Sequence, residues 1–81
     1  MNTKYKFIHF TLIGQTEKTG TWACRANSGG SLGLVKWYGP WRQYCFFSAA
    51  ACVFNNGCLA DIQDFIGQLT ADRKENHDEK G

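Results

Sequence analysis

Eighty-one residues with a net charge of +2 can fold as one small domain with little room for an elaborate active-site cleft. Hydrophobic residues make up 43% and charged residues 20%, a globular balance that argues against collagen, coiled coil, a membrane span and a multidomain enzyme. The unusual feature is an aromatic content of 15%, which supplies much core volume from few residues.

Tyr5 to Ile13 is rich in aromatic and β-branched residues, with apolar side chains at both parities, and reads as a first strand. Gly14 to Gly20 is polar and bounded by glycines, hence a turn or loop. From Thr21 to Asn27 the chain alternates, with Trp22, Cys24 and Ala26 on one side, as in a half-buried strand. Gly29 and Gly30 then supply the positive φ angles of a tight hairpin spanning Asn27 to Ser31. Leu34 to Tyr38 forms a third strand, ended by Gly39-Pro40, and Arg42 to Phe47 a fourth. Ser48 to Cys52 is small and ambiguous, a loop crossing the sheet.

The period then changes. Leu59, Ile62, Phe65, Ile66 and Leu69 form one stripe of an amphipathic helix, with Asn55 or Asn56 as its N-cap and Asp61 in its first turns. Asp61, Asp64 and Gln68 are expected to face water. Beyond Thr70 no large apolar residue remains, so the end of the chain should fray. The predicted fold is α+β: an antiparallel three- to four-stranded β-meander with one C-terminal amphipathic helix packed on one face. Residues 1–70 form the single compact domain and 71–81 a flexible charged tail. One helix covers one sheet face, yet aromatics occur at both parities, so some large apolar side chains should stay exposed.

Charge is uneven along the chain. Through Ala60, Lys4, Lys6, Lys18, Arg25, Lys36 and Arg42 stand against Glu17 alone. From Asp61 onward the balance reverses, with Asp61, Asp64, Asp72, Glu75, Asp78 and Glu79 against Arg73, Lys74 and Lys80. A basic front and an acidic back can steer an anionic partner to one side, although an uneven solvated surface has the same appearance.

The four cysteines, Cys24, Cys45, Cys52 and Cys58, contain no C-x-x-C knuckle, and His9 and His77 lie far from any cysteine pair. Small buried hydrophobes are the favoured reading over disulfides or a metal site. His9 reads as a half-buried strand histidine, not a general base. Asp61 and Asp64 sit on the polar helix face, and the glycines match no phosphate-binding loop. No enzyme activity, catalytic residue, cofactor or metal is expected. Phe7 to Ile13 is too short and polar for a membrane span and precedes no small-residue cleavage site, so a cytoplasmic location in whatever cell makes the protein is expected.

The densest chemistry lies between Leu32 and Phe47, where Trp, Tyr and Arg interleave around one turn. Arg25, Lys36, Trp37, Tyr38, Trp41, Arg42 and Tyr44 are the candidate binding residues. Period two suggests a shared surface for Lys36, Tyr38, Arg42 and Tyr44, with Val35, Trp37, Cys45 and Phe47 inward, subject to the strand register. Such a surface suits protein anchoring or base stacking, while the same side chains could instead pin the sheet core.

The run LGLVKWYGPWRQYCFF, followed by VFNNGCLADIQDFIGQL, resembles a family of small phage- and prophage-encoded proteins of uncharacterised function. Its pattern reads L-G-x-[IV]-K-W-Y-x-x-W-R-x-Y-x-F, then C-L-x-D-I-x-D-F-I, and covers Trp22 through Leu69 here. Ser48 stands where the pattern has proline. The resemblance implies a phage-type origin and a compact domain, with no activity or ligand to transfer. The expected role is a non-catalytic accessory protein that binds a host or phage protein, as an inhibitor or modulator, through its aromatic and basic sheet surface. DNA or RNA binding by the same surface is the alternative, a homodimer would also use it, and no membrane partner is expected.

Overall fold

The computed structural model describes residues 1–78. Four strands, β1 (Ile8–Gln15), β2 (Gly20–Ala26), β3 (Ser31–Tyr38) and β4 (Gln43–Ser48), form one antiparallel sheet in the order β1-β2-β3-β4. Helix α1 (Asn56–Asp78) packs across one face. This is the α+β meander expected from the sequence, in its four-stranded form.

Local chemistry sets each boundary. Thr16 makes the β1–β2 turn, its Oγ1 accepting from the Lys18 and Thr19 amides at 3.2 and 3.0 Å. Gly29 and Gly30 take φ of 109° and 95° in the β2–β3 hairpin, where side chains would be strained. A 3-10 turn at Gly39–Trp41 follows β3, with Pro40 in its first positions. Asn55, rather than Asn56, caps α1: its Oδ1 accepts the Cys58 amide at 2.8 Å.

The core joins Ile8, Phe10, Cys24, Val35 and Tyr44 of the sheet to Ile62, Phe65 and Leu69 of α1. Phe65 is fully buried, stacked on Phe10 with centroids 4.0 Å apart and edge-on to Trp22 at 5.1 Å. Cys24, at the centre of this cluster, is the small buried hydrophobe expected; Cys45, Cys52 and Cys58 are only half-buried, and all four thiols are free.

Four features depart from the sequence reading. β1 starts at Ile8, because the chain bends at Lys6-Phe7 and residues Thr3 to Tyr5 return along its edge, with Phe10 N–H donating to Thr3 O at 2.8 Å. Asp64 and Gln68 do not simply face water: Tyr5 Oη donates to the Asp64 carboxylate at 2.8 Å, and Gln68 Nε2 donates to Asn2 O at 3.0 Å. Leu59 leaves the apolar stripe, 49% exposed, because Cys58 is half-buried in its place one residue earlier. The helix also runs past Thr70 to Asp78, and residues 79–81 of the expected tail lie outside the described residues. Arg73 anchors the start of that extension. Its guanidinium lies 4.0 Å from the Trp37 ring centroid and donates to Lys18 O at 3.1 Å, tying the turn past the apolar stripe to the sheet.

Candidate functional site

Strand register decides which side chains meet on the face away from α1. Thr11, Ala23, Leu34 and Phe47 form one row across all four strands. Lys36 opposes Cys45, and Tyr38 opposes Gln43, in the adjoining rows. Residues directly opposite on neighbouring strands share a face, so these rows make one surface. On it the Lys36 ammonium sits 4.8 Å from the Phe47 ring centroid. Tyr38 packs edge-on against Trp41 at 5.0 Å and lies 5.9 Å from Phe47. Trp41 stands on the 3-10 turn, 66% exposed, and the exposed Arg42 follows it.

The structure therefore brings Lys36, Tyr38, Trp41 and Arg42 to one end of the open face. Arg25 lies on the same face, exposed, and pairs in register with His9 of β1. Trp37 and Tyr44 are elsewhere. They oppose one another on the helix side, edge-on at 5.5 Å, and Tyr44 is buried with its hydroxyl accepting the Gly20 amide at 3.1 Å. The expected inward placement of Cys45 and Phe47 is likewise reversed. Arg42 causes the inversion: it adopts φ 55°, ψ 48° and closes the turn by donating its amide to Tyr38 O and Gly39 O. Gln43 thereby opposes Tyr38, which places odd-numbered β4 residues on the open face.

Leu34 and Phe47 belong to the patch but were absent from the sequence candidates. Period two from Lys36 would have included Leu34, whereas Phe47 requires the β3–β4 register. His9 is half-buried and structural. Asn27 Nδ2 donates to Tyr5 O and Lys6 O at 3.0 Å each, so its Oδ1 must accept, and His9 Nδ1–H donates to it at 2.7 Å.

The electrostatics of the face are one-signed. None of the four strands contains an aspartate or glutamate, while Arg25, Lys36 and Arg42 lie on the face or its rim. Asp61, Asp64 and Asp72 belong to α1, on the opposite side of the sheet. Among the described residues no three His, Cys, Asp or Glu side chains converge as a metal site would need. A cavity of about 190 Å³ lies between the β1–β2 turn and α1, bordered by Trp22, Tyr44 and Arg73. It is below the roughly 300 Å³ at which ligand pockets usually begin. Burial pushes the Cys24 thiol up to about 11, with Cys58 and Cys52 adding to the effect, so Cys24 is held neutral and unreactive.

Among the described residues no helix is long and apolar enough to cross a membrane. No family model and no solved structure matches the chain. The chain is similar to an uncharacterised 9.3 kDa protein of Acholeplasma phage L2, with 41% identity over 51 residues, covering 60% of this chain and 65% of the relative. The match thus spans just under two thirds of the relative's length, and it relates this α+β chain to a small phage protein.

Proposed function

We propose that this chain is a non-catalytic phage-type accessory protein of the small-protein family carrying the KWYxxWRxY and CLxDIxDFI pattern. It acts by binding a host or phage protein through its open sheet face, as an inhibitor or modulator. One observation carries this reading: Leu34, Lys36, Tyr38, Trp41 and Phe47 are gathered on the sheet face that α1 leaves uncovered. Trp, Tyr and Arg are the residue types that dominate binding energy at protein interfaces. With cations and no carboxylates on the strands, the face suits an acidic protein surface.

Ring geometry favours a protein over nucleic acid. Base stacking needs free, flat aromatic faces. Here Tyr38 and Trp41 meet nearly perpendicular, at 86°, so they do not line up as parallel platforms for successive bases, and the Lys36 ammonium covers one face of Phe47. The cationic excess is also small for phosphate-driven affinity. Labelled single- and double-stranded DNA and RNA titrated at low salt should show no saturable binding, while capture of the protein partner should survive nuclease treatment. Saturable, salt-sensitive nucleic-acid binding that is lost with Lys36→Ala would instead assign the face to nucleic acid.

A further inference from the structure

The two edges of the sheet differ in their protection. Along β1 the returning segment Thr3–Tyr5 occupies part of the outer edge, with Phe10 N–H bonded to Thr3 O and Lys4 bridged to His9. β4 has β3 as its single neighbour, and among the described residues no backbone hydrogen bond reaches its other side. From Gln43 to Ser48 the strand holds no charged residue and no proline, and its pairing with β3 has no bulge. Those are three of the devices by which edge strands are kept from pairing, and β4 lacks all three.

We propose that β4 pairs antiparallel with β4 of a second copy of this chain, joining the two sheets into one. A second copy fits because the strand is uncharged, so it meets itself without like-charge repulsion. A two-fold axis perpendicular to the sheet keeps both helices on one side, and it requires odd-numbered β4 residues to oppose odd ones. Centred on Cys45, it sets Cys45 against its own copy, Gln43 against Phe47 and Tyr44 against Phe46. Arg42 then falls at the two far ends of the pair. The Phe46 ring leans back over Gly33 and against Phe54, leaving little to pair with at an axis placed there. The Cys45 register also aligns the Tyr38–Gln43 row with the copy's Phe47–Leu34 row. The two aromatic patches become one continuous surface.

The mass of the purified full chain by sedimentation equilibrium across a dilution series tests this directly. The wild type should sediment as a dimer that dissociates on dilution. Cys45→Glu should be monomeric with an unchanged circular dichroism spectrum. Its carboxylate faces Lys36 within one chain but faces its own copy across the axis. Phe7→Glu, beside the shielded edge, should remain dimeric. A wild type that is monomeric throughout, a folded Cys45→Glu that still dimerises, or a Phe7→Glu that dissociates would each overturn the proposal. If Cys45→Glu does not fold, amide exchange of the wild type decides: β4 protection should rise with protein concentration, and a concentration-independent pattern would refute the pairing.

Discussion

Gly33 is the residue whose side chain the fold can least accept. A Cβ there would collide with the Phe47 carbonyl and lie 2.8 Å from Phe46 Cζ. Gly33→Ala should therefore loosen β3 from β4 and lower the unfolding free energy by about 1–3 kcal/mol in denaturant titration. Arg42 shows the opposite pattern, since it holds a left-handed backbone that glycine adopts freely. Arg42→Gly should leave stability unchanged or raise it by up to about 1 kcal/mol, while weakening capture of the proposed protein partner. Matched losses of stability and binding would make Arg42 a structural residue. Alkaline pH probes two further residues. The Cys24 thiol is raised from 9.0 to about 11 by burial, aided by Cys58 and Cys52. The Tyr5 hydroxyl is raised from 10.0 to about 12, chiefly by burial and then by Asp64. Both groups are neutral in the folded state at a pH where the unfolded chain ionises. Their contribution is complete below pH 9 and is lost as pH rises through about 11 and then about 12. Denaturant midpoints should fall above pH 9, and Cys24→Ala should flatten the portion of that fall up to about pH 11.

Elements with local signals were legible in the sequence. Gly29-Gly30, Gly39-Pro40 and Asn55 are short-range devices, and each marks the boundary it was expected to mark. Features that depend on distant partners were not legible. The parity of β4 follows from the backbone of Arg42, so period two alone puts Tyr44 outside and Phe47 inside, and the β3–β4 register reverses both. The bend at Lys6-Phe7 brings Asn2 and Tyr5 to the polar side chains Asp64 and Gln68, contacts that no local pattern announces. The helix end follows the same rule. Hydrophobic periodicity stops at Leu69, but Arg73 ties the next turn down through Trp37 and Lys18. Arg73→Ala should cost about 1 kcal/mol in unfolding free energy. It should also speed amide exchange selectively after Thr70, and unchanged exchange there would show that the helix end holds without this contact.

At the scale of the molecule, α1 and the sheet divide the work. The helix buries one sheet face and carries the carboxylates Asp61, Asp64 and Asp72, while the opposite face keeps Lys36, Tyr38, Trp41 and Phe47 at the surface. The aromatic excess is thus split between a core of Phe10, Tyr44 and Phe65 and a second set, Tyr38, Trp41 and Phe47, packed together on the open face. Candidate site residues follow the same division: Trp37 and Tyr44 belong with the core, and the other five with the open face or its rim. The most direct test compares two exposed positions on opposite sides of the molecule, Trp41 and Leu59. Proteins captured from a nuclease-treated host lysate should be lost with Trp41→Ala and retained with Leu59→Ala, both variants melting close to the wild type. Equal capture by Trp41→Ala, or loss confined to Leu59→Ala, would contradict a binding role for the open sheet face.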